Sequence, residues 1–159
     1  MKPSGFSEMT SGVTLDTGAL IGIERGERRI QALLDEAWAA GVTFSVPSGV
    51  LAQAWRGTPR QARLARFLGL PNVSVVPLDD AGARAAGVLC GRSGVSDVID
   101  ASVVVCARLA DNTVVTTDPD DLRRLDSELR IIAICNYSGP LTAPSTTWAN
   151  AARIVSDLT

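Results

Sequence analysis

The sequence predicts a single α/β domain, a three-layer sandwich in which a central parallel sheet of about five strands is flanked by helices. Short β-branched runs alternate with longer segments rich in Ala, Leu and Arg, the pattern of strands covered by helices on both faces. A length of 159 residues suits one domain. The 46% hydrophobic and 20% charged residues are typical of a globular core and exclude a disordered chain.

Five apolar runs are too short for helices and are predicted as strands. They are 13–15, 43–46, 74–76, 113–116 and 131–134. Helices are predicted between and beside them at 17–25, 28–40, 47–55, 59–68, 80–90, 97–110 and 119–126. Proline at helix starts and glycine at helix ends support these limits. The prolines are Pro47, Pro59 and Pro119, and the glycines are Gly41, Gly69 and Gly91.

The ends of the chain differ from the body of the predicted domain, 13–136. Residues 1–12 are expected to be a flexible extension, and 137–159 an irregular tail with a possible helix at 148–158. Neither a signal peptide nor an apolar run long enough to span a membrane is visible, so we expect no membrane partner. Cys90, Cys106 and Cys135 lie in apolar stretches, as expected for buried thiols in a cytoplasmic protein.

Two absences narrow the possible chemistry. The sequence contains no histidine, which excludes Ser-His-Asp and Cys-His catalysis and His-ligated zinc. Lysine occurs only at Lys2, so a Walker A loop or a lysine Schiff base has no lysine within the domain. The 17 acidic and 15 basic residues give a net charge of -2, which excludes a wholly basic nucleic-acid-binding module but allows a local patch.

Acidic residues stand where parallel strands end. Asp16 follows the first strand and Asp118 the fourth, while Asp97 and Asp100 open a long helix and share one of its faces. Ligands of open α/β sheets bind beyond the carboxyl ends of the strands. We therefore expect these four carboxylates to gather at one edge of the sheet.

Helix capping is the alternative explanation for each acid taken singly, since Asp is a favoured N-cap. For the four acids together, electrostatics favours a cation site over helix capping. Carboxylates about 4 Å apart repel by roughly 4 kcal/mol at an effective dielectric of 20, whereas a helix dipole returns only about 0.3–1 kcal/mol. No Lys or Arg adjoins these acids before Arg123. The pattern thus predicts a Mg²⁺ or Mn²⁺ site, which suits phosphodiester hydrolysis.

Four segments in this order, LDTGAL, VPSGVLAQAWRG, SDVIDASVVVCA and VVTTDPDDLRRL, resemble PIN domains, and most of all VapC-type toxin ribonucleases of toxin-antitoxin pairs. The resemblance runs over about 13–135. It implies a metal-dependent endoribonuclease that uses a metal-activated water and leaves 5′-phosphate and 3′-hydroxyl ends. It further implies an RNA substrate, a cognate antitoxin protein and a homodimer.

By position, Asp16, Asp100 and Asp118 match the family's metal-binding acids, and Asp97 matches an additional acid found in one branch. The resemblance thus makes these four residues the catalytic and metal-binding set. Thr17 and Thr116 match positions at which the family has hydroxyl residues that support the first and last acids.

The family's second acid is usually Glu, but this chain has Gln53 at that position. Gln53 offers only a neutral oxygen. Three interpretations stay open: Asp97 replaces the missing carboxylate, the metal is bound weakly, or Gln53 is simply a polar residue on a half-buried helix. The second interpretation leads to an alternative function, a catalytically weak PIN-fold module that binds RNA or protein. A phosphatase with an Asp nucleophile is disfavoured because LDTGAL lacks a second Asp.

Arginines recur at helical spacing at Arg56, Arg60, Arg63 and Arg66. The first three are candidate contacts to RNA phosphates. A solvated helix face carrying charges is the competing interpretation.

Overall fold

The computed structural model describes residues 12–134 and contains the expected parallel α/β sandwich. Its strands are β1 (Val13–Leu15), β2 (Phe44–Pro47), β3 (Val73–Val76), β4 (Thr113–Thr116) and β5 (Ile131–Ala133). Its helices are α1 (Thr17–Arg25), α2 (Arg28–Ala39), α3 (Ser48–Ala54), α4 (Ala62–Leu68), α5 (Asp80–Ser93), α6 (Val98–Ala110) and α7 (Pro119–Leu125), with a 3₁₀ turn at Pro59–Gln61 before α4.

The five strands lie in the order β3-β2-β1-β4-β5 and all pair in parallel. Val13 on β1 aligns with Phe44 on β2 and with Thr113 on β4. Since parallel crossovers are right-handed, helices α1–α4 cover one face of the sheet and α5–α7 cover the other. Contacts of α1 with α2, α3 and α4, and of α5 with α6 and α7, agree with these layers.

The chain reverses its direction of travel across the sheet between β1 and β4. From β1 it crosses toward β2, and from β4 it crosses toward β5, so the connections leave these neighbouring strands on opposite faces. Such a switch point opens a crevice at the carboxyl ends of the two strands. Asp16 and the residues after Thr116 lie at this crevice.

The core occupies both faces of the sheet. Leu15, Val46 and Val114 are completely buried in the central strands. Leu20 on α1 and Val103 on α6 cover them from opposite sides and are also completely buried. Central strands buried on both faces read as continuous apolar runs, which explains why the sequence pattern identified them.

Helix α5 is longer than the sequence predicted, because Gly91 does not end it. The helix continues to Ser93, and Gly94 terminates it in the left-handed conformation with φ 72°. Glycine adopts that conformation without the steric penalty of a Cβ. The prediction failed because two glycines three residues apart both satisfy the sequence rule for a helix end.

At the amino end of the described residues, Gly12 is buried, and its N–H donates to Asn112 Oδ1 at 2.8 Å. Cys106 is buried and Cys90 is half-buried, both as free thiols. Cys135 and the predicted tail helix lie outside the described residues. None of the helices within 12–134 is both long and apolar enough to span a bilayer.

Candidate metal centre

Asp16 stands in the first position after β1 and is only 7% exposed. Its Oδ1 accepts a hydrogen bond from Thr17 N at 2.6 Å, and its Oδ2 accepts one from Thr116 Oγ1, also at 2.6 Å. Burial raises the pKa of Asp16; the hydrogen bonds oppose this, and the charges of Asp118 and Asp97 add to it. The carboxylate is thus rigidly held beside other negative charges.

Thr116 connects the first and last acids. The hydroxyl is completely buried, donates to Asp16, and accepts a hydrogen bond from Asp118 N at 3.0 Å. Asp118 directly precedes α7, yet its side chain makes no capping hydrogen bond. Capping therefore does not account for Asp118, and its exposed carboxylate is free to bind a ligand.

Asp97 does cap a helix, as the alternative explanation required. Its Oδ1 accepts from Ile99 N at 2.9 Å and from Asp100 N at 3.0 Å, which places Asp97 just before the first residue of α6. The same carboxylate lies close enough to Asp16 and Asp100 to raise the pKa of both. Capping and a contribution to the acidic site are therefore compatible in one residue.

Asp100 carries the largest electrostatic perturbation in the site. Burial, followed by the charges of Asp97, Asp16, Asp121 and Asp118, raises its pKa from 3.8 to about 7. Among residues 12–134, no arginine is a cause of the pKa shifts of Asp100 and Asp16. The acids predicted from the strand ends thus converge and repel one another.

Asp121 is a member of this group that the sequence analysis missed. It lies half-buried in the first turn of α7, three residues after Asp118, and its Oδ1 is 3.6 Å from Arg124 Nη1. The segment DPDD contains three aspartates, and the sequence alone does not show which of them face the acidic site. The direction of α7 decides between Asp120 and Asp121. Asp120 instead pairs with Arg123 at 3.4 Å.

Gln53 reaches the site from α3. Its Oε1 accepts a hydrogen bond from Thr17 Oγ1 at 2.5 Å. Helix α3 approaches α6 closely because Gly49 has no Cβ; a Cβ there would lie 2.7 Å from Ile99 Cδ1. Gln53, at the position where PIN domains usually have Glu, thus forms a hydrogen bond with Thr17, the residue that follows Asp16.

These side chains have the chemistry of a divalent cation site. Carboxylate oxygens are the ligands that Mg²⁺ and Mn²⁺ prefer, and a bound cation stabilises carboxylates that repel one another. Within 12–134, however, no three Asp, Glu, Cys or His side chains are already arranged around one metal position. The donor chemistry of these residues nevertheless fits a hard divalent cation.

The three candidate RNA-binding arginines have different surroundings. Arg56 Nη1 donates to the carbonyl oxygens of Ala52 and Trp55, at 3.4 and 2.8 Å. The guanidinium of Arg63 lies against Gly26, which ends α1 roughly 15 Å along the helix from Asp16. Arg60 is exposed on the 3₁₀ turn. Arg63 is therefore distant from the acids, and contact with RNA remains a prediction for all three.

Fold and site together define an α/β domain with an acidic crevice at the switch point of a parallel sheet. The PIN domain family matches residues 13–128, and the chain belongs to this family. No curated protein matches the chain. Among solved structures, the VapBC2 complex from Rickettsia felis bound to a DNA fragment from their promoter contains a chain with the same fold. Its TM-score is 0.61 at 18% identity, covering 77% of this chain and 98% of that one.

Proposed function

We propose that this protein is a Mg²⁺- or Mn²⁺-dependent endoribonuclease and the toxin of a toxin-antitoxin pair. The observation that carries the proposal is the group of converging carboxylates at the switch point of a PIN domain, in which Asp100 has a pKa of about 7. PIN domains are generally nucleases. A hard cation bound by such carboxylates suits phosphodiester hydrolysis, because it activates water and stabilises charge on the phosphate.

Asp16, Asp100 and Asp118 are the residues that would hold the metal, with Asp97 completing the set. A bound divalent ion supplies an activated water and stabilises charge on the phosphate. Thr116 fixes Asp16 through a buried hydrogen bond and also binds the backbone of Asp118, so it sets the spacing of the first and last acids. Thr17 N holds the second oxygen of Asp16.

The antitoxin partner is supported by the VapBC2 neighbour and by a groove between α2 and α4. This groove has a volume of about 310 Å³. Its lining combines four polar or charged side chains, Gln31, Asp35, Arg63 and Arg66, with the apolar residues Ile23, Leu34, Trp38, Phe44, Phe67 and Leu70. Trp38 is 47% exposed there. An amphipathic antitoxin helix with acidic residues suits this surface. The homodimer remains a prediction by family resemblance.

A cleavage assay tests the nuclease. Purified protein is incubated with a panel of single-stranded and hairpin RNAs in Mn²⁺, Mg²⁺ or EDTA, and the fragment ends are mapped. We expect metal-dependent cleavage that Asp16→Asn, Asp100→Asn and Asp118→Asn each reduce by about 100-fold or more, as expected for loss of several kcal/mol of charge stabilisation. Asp120→Asn is the matched control on α7, since Asp120 pairs with Arg123.

The Asp97→Asn variant tests whether Asp97 contributes charge to the site or only caps α6. Asn caps helices as well as Asp does, so the substitution removes charge and keeps the cap. If Asp97 supplies the missing carboxylate, cleavage falls about as far as with Asp100→Asn while the melting temperature is retained. Full activity in Asp97→Asn would make Asp97 a cap only.

A catalytically weak module that binds RNA or protein is the second candidate, and Gln53 is the observation that favours it. The family's usual Glu would add one negative charge at this position. Absence of metal-dependent cleavage across the whole panel, together with measurable RNA binding, would select this candidate over the nuclease.

A further inference from the structure

Gln53 has one end of its amide engaged and the other end free. Oε1 accepts from Thr17 Oγ1 at 2.5 Å, while Nε2 makes no hydrogen bond to any residue within 12–134. The side chain is exposed on α3. Because the Thr17 bond fixes the carbonyl end, the amino end presents two N–H donors to solvent at the rim of the acidic crevice.

The engaged oxygen makes Gln53 a poor metal ligand in this conformation. Thr17 is the residue whose N–H holds Asp16, so Gln53 belongs to the support of the first acid rather than to the set of free carboxylates. The acids around it are acceptors only when ionised. Gln53 thus adds hydrogen-bond donors to a crevice that otherwise repels anions.

From these contacts we infer that Gln53 positions the RNA by donating a hydrogen bond from Nε2 to a phosphate oxygen. This inference rests on the proposed nuclease function and extends it to the substrate. Phosphate oxygens accept hydrogen bonds from neutral amides, and in protein–DNA complexes half or more of the hydrogen bonds go to phosphate and sugar. A carboxylate at the same position would repel the phosphate that the amide binds.

The experiment compares Gln53→Met, which removes the donors at similar length, with Gln53→Glu, which replaces them with a charge. Leu109→Glu near the end of α6 is the control because it adds the same negative charge at a position that is 81% exposed. Binding of fluorescein-labelled oligouridine and oligoadenosine is measured by anisotropy at a Ca²⁺ concentration that saturates every variant, so that metal occupancy is the same in all of them. Binding of Mn²⁺ is measured separately by thermal shift.

We expect Gln53→Met to lower the affinity for both RNAs about tenfold, in line with the loss of a hydrogen bond to a charged group. We expect Gln53→Glu to lower this affinity further. Gln53→Glu should at the same time bind Mn²⁺ more tightly, while Leu109→Glu changes neither quantity. The opposite movement of RNA and metal affinity distinguishes substrate positioning from a merely structural role.

Unchanged RNA affinity in Gln53→Met or Gln53→Glu overturns the inference, and so does a loss confined to one of the two RNAs, which would mean base recognition. If the unmodified protein cleaves RNA and these variants bind it normally, the inference fails alone. If the unmodified protein neither binds nor cleaves RNA, the proposed function fails with it.

Discussion

Asp100 is half-buried among four other carboxylates, and its pKa of about 7 makes the folded protein sensitive to pH. Below a pH of about 3.8, Asp100 is protonated in both the folded and unfolded chains. Between about 3.8 and 7 it keeps its proton only when folded, so rising pH favours the unfolded state through this residue.

The prediction is that the metal-free protein loses stability as the pH rises from about 4 to 7, and that Asp100→Asn reduces this loss. The asparagine has no proton to release and stays neutral through the whole range. Melting temperatures in EDTA across this range measure the difference between the two proteins. A constant difference between them would show that Asp100 ionises normally in the folded state.

Individual residues of the site could be predicted where their position at the end of a strand already places them at the crevice. Asp16 and Asp118 follow buried strands, and the carboxyl ends of parallel strands point to one edge. Asp121 was missed because its participation depends on how α7 leaves β4. The bond between Gln53 and Thr17 was also beyond prediction, since it requires the actual approach of α3 to α1.

At the scale of elements, α1 and the connection from β4 to α7 touch at Gly18. A Cβ on Gly18 would lie 2.0 Å from Thr117 Oγ1 and 2.9 Å from Thr117 Cβ. Thr117 stands between Thr116 and Asp118. The glycine therefore lets α1 start directly against the segment that carries the last acid.

Gly18→Ala is expected to displace Thr117 and destabilise the protein by about 1–3 kcal/mol, the usual range for overpacking. Because the displaced residue adjoins Asp118, affinity for Mn²⁺ should fall as well. Denaturant unfolding and Mn²⁺ thermal shifts measure the two effects. Gly87→Ala on α5 is the control, since no atom lies within 4 Å of a Cβ there and alanine favours helix. Equal stability of the two variants would contradict the close contact.

Element positions were predictable to within a few residues because buried strands and amphipathic helices have different periods. β1, α1 and β4 have the limits that the sequence predicted. The end of α5 did not, since local rules cannot choose between Gly91 and Gly94. The order of the strands needed the handedness of the crossovers as well as the sequence pattern.

At the scale of the molecule, the acidic site joins segments that are far apart in the chain. Asp16 follows β1, Asp100 lies on α6, and Asp118 follows β4. The unfolded chain does not hold these three carboxylates together. A metal bound by them therefore binds only the folded state, and mass action makes it stabilise the domain.

We accordingly expect Mn²⁺ at about 100 times its Kd to stabilise the protein by roughly 2.7 kcal/mol, or about 5–10 °C in melting temperature for a domain of this size. EDTA should reverse the shift. Asp100→Asn should remove most of it and Asp120→Asn should not, because Asp120 is paired with Arg123 outside the group. Equal shifts in these two variants would mean that Mn²⁺ binds the acidic surface at large. A shift lost only in Asp100→Asn would locate the ion where β1, α6 and β4 meet. The carboxylates that destabilise the metal-free fold by mutual repulsion would then stabilise the metal-bound fold.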